Sequence, residues 1–213
     1  MKKVLALILA LTMLLCGCAA LAETAADTQE TQTLNSVTGL FTLEIPADYI
    51  IFDAELVQML IGDLGVDYFV ENGLDEGTAQ MVIDTFAQID PTTQDFVYAP
   101  DFVSNMNAMA SAPAGLTRDM LPLVKDALDE TLTAQYVSMM GLAEEDCVPM
   151  DIITIGENDY NCYAFGVNAF GTFLIQYITF ADDGTQICLT FTGIEKEITD
   201  AIMDTFEFVV PEV

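Results

Sequence analysis

The sequence predicts an α+β fold in which helices cover both faces of a mostly antiparallel sheet, a three-layer α/β/α sandwich. Three observations predict this class. The middle of the chain has helical periodicity, the C-terminal third alternates short extended segments with turn residues, and the segment 172–180 is apolar on both of its faces. A strand that is apolar on both faces has to be covered on both. The helices are therefore expected on opposite sides of the sheet.

The first half of the domain is predicted to contain one strand and two helices. The strand covers 39–45 and is closed by a proline. Asp53 is a suitable N-cap for a first helix, whose apolar residues have helical spacing and which is predicted to end at Gly65. A second helix is predicted over 75–88.

Two short strands and one long helix are predicted next. The strands cover 96–99 and 103–110, and the helix covers 119–140, where an apolar residue recurs at every fourth position. Pro122 falls in the first turn of this helix, where the missing N–H costs nothing. Gly141 follows its last turn as a suitable C-cap.

The C-terminal third is predicted to form a meander. Its four strands cover 152–155, 160–167, 172–180 and 185–192, and a closing helix covers 195–206. The connections contain Gly, Asn and Asp, which are typical of tight turns. The closing helix is expected to cover one face of the meander.

The N-terminus, residues 1–22, is predicted to be an export signal. Its apolar run, 4–15, is too short to span a bilayer as a helix, which takes about 20 residues. Two cleavage sites remain open. Leu15-Cys16-Gly17-Cys18 resembles the bacterial lipobox and makes Cys18 the candidate lipid-attachment residue, whereas cleavage after Ala20-Leu21-Ala22 would release a secreted chain.

The chain after the signal is predicted to form a tether and one domain. Residues 23–37 are polar and contain no aromatic side chain, which is typical of a flexible segment. The domain is predicted over 38–213. With a lipid on Cys18, the domain would stand on the outer face of the cell membrane.

The composition is strongly acidic and excludes two classes of function. The chain has 34 Asp and Glu against 5 Lys and Arg, no His, and a formal net charge of −29. A nucleic-acid binder needs a basic face, and Ser-His-Asp, Cys-His and His-zinc chemistry need an imidazole. The same charge disfavours anionic lipids and wall polymers and steers a cationic partner toward the surface.

The order of elements resembles that of the PsbP-like and DcrB-like superfamily. Gly39-Leu40-Phe41-Thr42-Leu43-Glu44-Ile45-Pro46 is similar to its G-x-F-S-hydrophobic-x-I-P opening, and 99–107 is similar to its Asn-rich extended strand. Three later segments resemble its closing meander and helix: Gln176-Tyr177-Ile178, Leu189-Thr190-Phe191-Thr192 and Thr205-Phe206. The helical segment 53–90 is longer than this resemblance implies. The resemblance implies a binding or accessory role at membranes and in assemblies, with no shared catalytic residues.

Two acidic clusters are the candidates for a cation site, since carboxylate oxygens suit hard cations. They are Glu144-Glu145-Asp146, after the long helix, and Asp182-Asp183, in a predicted hairpin turn. Neither alternates ligands with spacers as calcium loops do, and adjacent carboxylates are expected by chance in so acidic a chain. A carboxylate pair could also serve a hydrolase, although the chain has no Trp to stack on a sugar.

The cysteines of the domain are predicted to be reduced. They are Cys147, Cys162 and Cys188. In the predicted meander Cys162 and Cys188 lie opposite Tyr177 on its two neighbouring strands, roughly 9–10 Å apart, which is beyond the reach of a disulfide.

We therefore expect an exported, lipid-anchored, acidic binding or accessory domain at the bacterial cell surface, without catalytic residues or cofactor. Its partner would be a protein or small ligand of the cell envelope, and it would contact the membrane only through its anchor. A carboxylate-pair hydrolase and a cation-binding domain are the alternatives.

Overall fold

The computed structural model describes residues 30–59, 65–71, 75–87, 92–101, 104–113, 115–169 and 171–209. Within these residues lie ten strands and five α-helices. The strands are β1 Thr31–Asn35, β2 Phe41–Pro46, β3 Ile50–Ile51, β4 Gln94–Tyr98, β5 Asn105–Ser111, β6 Cys147–Ile155, β7 Tyr160–Ala169, β8 Thr172–Phe180, β9 Gln186–Thr192 and β10 Glu207–Phe208. The helices are α1 Ala54–Gln58, α2 Gly65–Glu71, α3 Glu76–Phe86, α4 Leu121–Met140 and α5 Lys196–Asp204.

Two antiparallel sheets organise these strands. The larger has seven strands in the order β3-β4-β5-β9-β8-β7-β6, and the smaller has three in the order β1-β2-β10. The last four strands of the larger sheet form the predicted meander. The α+β class with a mostly antiparallel sheet is therefore confirmed.

The seven-stranded sheet is covered on both faces, as predicted. On one face α4 packs Leu132 and Tyr136 onto the sheet, and the Tyr136 ring stacks on Phe165 at 5.7 Å. On the other face α5 and the small sheet bury Ile202 and Phe41 against the central strands. The second outer layer is thus part helix and part sheet, whereas the sequence predicted helix alone.

Strand β8 has the two apolar faces that the sequence indicated. Ile175 and Tyr177 belong to the core under α5, and Leu174, Ile178 and Phe180 belong to the core under α4. All five side chains are at most 3% exposed. The alternation of a strand therefore supplies both cores from one segment.

Both ends of α4 follow the sequence prediction closely. Pro122 lies in its first turn, and Gly141 caps its C-terminus with φ +67° while its N–H donates to the Val137 carbonyl. A short 3₁₀-helix, Arg118–Met120, precedes α4. At Gly141 the backbone is left-handed, and glycine adopts this conformation without the steric cost that other residues have.

Arg118 fastens the start of α4 to the rest of the fold. Its Nη1 donates to the Phe180 carbonyl at 3.1 Å, and its guanidinium forms an ion pair with Asp182. The guanidinium also lies over the rings of Tyr160, at 5.1 Å, and Phe208, at 4.5 Å. This one side chain therefore joins the 3₁₀-helix, the β8–β9 turn and β10.

A buried carboxylate holds the β1–β2 loop. Asp95 in β4 is 3% exposed and accepts hydrogen bonds from the Ser36 hydroxyl, at 2.8 Å, and the Val37 N–H, at 2.9 Å. Burial raises the pKa of Asp95, and the two hydrogen bonds oppose that rise. The small sheet is thereby anchored to the edge of the large one.

The tether prediction is wrong for Thr31–Asn35. These residues form β1 and pair with β2, and Leu34 is only 2% exposed within the core. Leu34 is the one buried apolar side chain of β1, so the sequence shows no hydrophobic pattern there. The domain consequently begins before residue 38. The predicted export signal and Cys18 lie outside the described residues.

The helical segment differs from its prediction at one point. Asp53 does cap α1, because its Oδ1 accepts from the Leu56 N–H at 2.8 Å. Gly65, however, begins α2 instead of ending α1. The predicted helix over 75–88 corresponds to α3. Nowhere in the described part of the chain is a helix both long enough and apolar enough to cross a bilayer.

Candidate functional site

Three of the five acidic residues named as cation candidates, Asp146, Asp182 and Asp183, have local structural partners. Asp146 closes a 3₁₀-turn, Glu144–Asp146, by accepting from the Ala143 N–H at 3.1 Å. Asp182 pairs with Arg118, as described above. Asp183 accepts from the Thr185 N–H at 2.8 Å, and this bond lowers the pKa of its carboxyl.

These contacts do not bring the two acidic clusters together. Within the ranges that the structure describes, no group of three or more His, Cys, Asp or Glu side chains is placed to hold a metal ion. The cation site over Glu144, Glu145, Asp146, Asp182 and Asp183 remains a sequence prediction.

The basic residues of the described surface are all neutralised. Each forms one ion pair: Arg118 with Asp182, Lys125 with Asp129 at 2.8 Å, and Lys196 with Asp200 at 2.5 Å. Pairs of this kind contribute little to stability when exposed. Their consequence is electrostatic, because the charge left without a partner of opposite sign on this surface is negative.

An open groove of about 540 Å³ follows α4. Its lining residues are Asp129, Glu130, Thr133, Ala134, Val137 and Glu144. Asp129 is held in place, since its Oδ1 accepts from the Tyr163 hydroxyl at 2.6 Å and its Oδ2 from Lys125. Glu130 and Glu144 are exposed. The groove therefore presents carboxylates to the solvent.

A second feature lies near the middle of the seven-stranded sheet, on the same face as α4. Thr190 of β9 lies opposite Asn107 of β5 on one side and Gln176 of β8 on the other. Thr192 follows on the same face. These four residues, which we call the polar patch, are 3–8% exposed.

Several atoms of the polar patch have no hydrogen-bond partner within the protein. They are Asn107 Nδ2, Gln176 Oε1 and Thr192 Oγ1, and the Tyr136 hydroxyl of α4 is unpartnered on the same side of the sheet. The Tyr136 hydroxyl is close enough to Cys188 and Cys147 for their charges to add to burial in raising its pKa. Buried polar atoms almost always have a partner, so this concentration on one face is unusual.

Cys188 adjoins the polar patch. It lies opposite Met109 and Ile178 on the same face. Burial raises the pKa of Cys188 to about 11, and hydrogen bonds from the side chains of Thr190 and Gln176 oppose the rise. The thiol is therefore neutral at physiological pH.

Cys147, Cys162 and Cys188 are free thiols, as predicted. Cys162 belongs to the core under α5, whereas Cys188 packs on the core under α4. The predicted register is wrong by two positions for Cys162 and by one for Cys188, since Tyr177 lies opposite Ala164 and Leu189. The two thiols lie on opposite faces of the sheet.

Sequence reasoning missed the polar patch because it did not place β5 beside β9. Those strands are about 80 positions apart in the chain, and no local sequence pattern predicts that they pair. The alternation along β9 places Thr190, Thr192 and Cys188 on one face of the sheet. The sequence signal for the polar patch was that Asn107, Gln176, Thr190 and Thr192, with amide or hydroxyl side chains, occupy positions of the strands that face the core.

No family model matches the chain, and no curated protein matches it. Among solved structures, it is similar to the solution structure of cyanobacterial PsbP (CyanoP) from Synechocystis sp. PCC 6803, with 12% identity and a TM-score of 0.48 over 89% of this chain and 98% of that one. It is also similar to a crystal structure from Bacteroides thetaiotaomicron VPI-5482, with 14% identity and a TM-score of 0.43 over 83% of this chain. The chain spans 47% of that second protein. A likeness at this level concerns the fold alone.

Proposed function

We propose that this protein is an exported, lipid-anchored accessory domain that binds a cationic partner at the outer face of the cell membrane. The observation that carries the proposal is the pairing of Arg118, Lys125 and Lys196 with neighbouring aspartates. With these bases neutralised, the described surface offers a partner only unpaired negative charge.

Charge of one sign over a whole domain acts at long range. At physiological ionic strength the Debye length is about 8 Å, so carboxylates on one face reinforce one another within that distance. They speed the encounter with a cationic surface and repel anionic lipid headgroups and wall polymers. A domain held near such a surface by a lipid would stand away from it and remain open to a partner.

The open groove along α4 is a concave part of the described surface. Glu130 and Glu144 line it and have no basic neighbour among the ion pairs of the described surface. Asp129 beside them is neutralised by Lys125 and fixed by Tyr163. A Lys or Arg side chain of a partner would find two exposed carboxylates on a wall that the Asp129 contacts hold in place.

Affinity capture tests the binding function. The bait is the chain from Glu23 to the C-terminus, which keeps β1, and the source is the envelope of the producing organism. An unrelated domain of similar negative charge serves as the control, and both are washed over a salt series. One partner retained over the control at physiological salt is the expected result. If retention follows charge alone in both baits, the proposal is wrong.

Mass spectrometry of the mature protein tests the anchor. A diacylglycerol thioether on Cys18 is the expected result, and an unmodified chain that begins at Glu23 would show secretion instead. The leader and lipobox described in the sequence support the first outcome.

A further inference from the structure

We propose that the outward face of α4 is the docking surface for an amphipathic, basic α-helix of the partner. This inference rests on the proposed function, since it gives the cationic partner a shape and a pattern of contacts. The surface consists of Leu123, Ala127, Glu130, Ala134 and Val137, which we call the outer seam of α4.

The spacing and composition of the outer seam are the first observation. Its members alternate steps of four and three residues, which is the spacing of a helix face that packs on another helix. The buried Leu132 lies on the other side of α4, because at about 100° per residue both Glu130 and Ala134 lie about 160° from it around the helix axis. A face turned away from the core normally has charged and polar side chains. Here Glu130 is the only polar member.

The exposure of the outer seam is the second observation. Leu123 is 83% exposed, which is the largest exposed fraction among the large apolar side chains of the described residues. Ala127, Glu130 and Ala134 are exposed as well, and Val137 is half-buried. Single exposed apolar residues are ordinary, whereas a contiguous row of them is typical of an interaction surface.

The position of the open groove is the third observation. Three residues of the outer seam, Glu130, Ala134 and Val137, line it together with Glu144 of the 3₁₀-turn. The groove, of about 540 Å³, therefore offers space beside the seam for the side chains of a docked helix. Because alanine side chains are small, the axis of that helix can approach α4 to the short end of the usual range of about 8–10 Å.

The charges along the groove select a basic helix. Glu130 is the central member of the outer seam, and neither it nor Glu144 belongs to an ion pair of the described surface. A purely apolar helix on the seam would remove water from Glu130 without supplying a counterion, which is costly. A Lys or Arg at the matching position of the partner helix would pair with Glu130, and a second base toward the end of that helix would reach Glu144.

The same charge argues against a second copy of this chain as the occupant. The outer seam is symmetric about Glu130, which lies seven residues from Leu123 and seven from Val137. Two copies packed seam on seam over its whole length would place Glu130 against Glu130, whether the helices ran parallel or antiparallel. The net charge of −29 on each chain adds to that repulsion. The occupant is therefore a helix of another protein.

Fluorescence anisotropy with a designed peptide tests the proposal. The protein is the chain from Glu23, at physiological salt. The probe, called the seam peptide, is a fluorescein-labelled helical peptide of about three heptads, with leucine and alanine on one face, a lysine at the centre of that face and lysines on its flanks. The comparator has the same composition in an order that spreads the leucines around the helix, so its charge is equal and its apolar face is lost. The seam peptide is expected to bind with a Kd below about 100 µM and at least about tenfold tighter than the comparator.

Substitution of an exposed alanine tests the contact without disturbing the fold. Ala134→Gln places a longer, polar side chain on the outer seam and should weaken binding of the seam peptide by about tenfold or more. Ala201→Gln, at an exposed alanine of α5, is the matched control and should bind as the wild type does. Both variants should keep the melting temperature of the wild type, because both positions are exposed and glutamine is a good helix former.

An exchange of charges tests the central ion pair. Glu130→Lys should weaken binding of the seam peptide by about tenfold or more. A seam peptide with glutamate in place of its central lysine should recover binding to this variant. A general loss of negative charge from the protein cannot produce that recovery, so the exchange identifies the pair.

Three outcomes would overturn the proposal. One is a seam peptide that binds no tighter than its comparator. Another is a dimer of the wild type in analytical ultracentrifugation that Ala134→Gln dissociates, which would make a second copy the occupant. The third is a captured partner that Ala134→Gln retains and Glu130→Gln/Glu144→Gln loses, since the cationic partner would then stand without the helical contact. Failure of the proposed function alone differs from all three, because the capture would give no specific partner while the seam peptide bound as described.

Discussion

Gly156 is the position where one added methyl group should do most damage to the fold. It lies in the β6–β7 turn with φ +69°, and its N–H donates to the Met203 carbonyl at the end of α5. A Cβ at this position would overlap the carbonyl oxygen of Phe206 and lie 3.1 Å from its carbonyl carbon. The obstacle is backbone, so it cannot rotate away.

The cost can be separated with a second glycine. Gly171 also has positive φ, at +83°, but a Cβ there meets nothing within 4 Å. Gly171→Ala should therefore lose only the conformational cost of about 1–2 kcal/mol. Gly156→Ala should lose that amount, about 1 kcal/mol for the Met203 hydrogen bond, and part of the packing of Phe206. Complete loss of a buried Phe side chain costs about 3–5 kcal/mol, so a total above about 3 kcal/mol is expected.

Urea unfolding followed by far-ultraviolet circular dichroism measures both losses. The expected difference between the two variants is at least about 2 kcal/mol, with Gly156→Ala the less stable. For a domain of this size that corresponds to at least about 4 °C in melting temperature. Losses that agree within about 0.5 kcal/mol, which is the usual effect of an inconsequential substitution, would refute the close approach of the turn to α5.

Three further predictions follow from buried and paired groups. Asp95→Asn should be more stable than the wild type at pH 7, because the raised pKa of Asp95 means that the buried carboxylate destabilises the fold once it is ionised. The difference in the free energy of unfolding should shrink as pH falls toward 3.8. A pH-independent difference in urea titrations would contradict this prediction. Cys188 should react with methyl methanethiosulfonate before Cys147 and Cys162. Its rate, followed by mass spectrometry, should rise about tenfold per pH unit up to about pH 11. A rate that stops rising near pH 9 would show that Cys188 has the pKa of an ordinary thiol. Arg118→Lys should lower the free energy of unfolding by about 1–3 kcal/mol, since an ammonium group replaces neither the hydrogen bond to the Phe180 carbonyl nor the stacking on the Phe208 ring. A loss under about 0.5 kcal/mol would show that the guanidinium does not stabilise the fold in this way.

The elements with strong local signals were predictable. Strand β8 occupies the predicted 172–180, since its flanking turns contain glycine and its two faces alternate along the strand. Helix α4 covers the segment in which an apolar residue recurs at every fourth position, and it ends at the capping Gly141. In both cases the residues that end the element are as informative as the residues inside it.

The elements that depend on distant partners were not predictable. Strand β1 buries Leu34 alone, and the two-residue strands β3 and β10 exist only because β4 and β2 pair with them. The polar patch has the same origin, because Asn107 meets Thr190 through the pairing of β5 with β9. The local sequence predicts which face of a strand is apolar, whereas the pairing with distant strands determines which residues that face contacts.

The central claim, that exposed carboxylates recruit a cationic partner, is tested most directly with two charge-matched variants in the capture experiment. Glu130→Gln/Glu144→Gln removes two charges from the α4 groove. Glu157→Gln/Asp159→Asn removes two from the exposed β6–β7 turn, at the other end of β6. The account predicts that the captured partner is lost from the first variant at physiological salt and retained by the second. Equal retention by both, or equal loss from both, would contradict it.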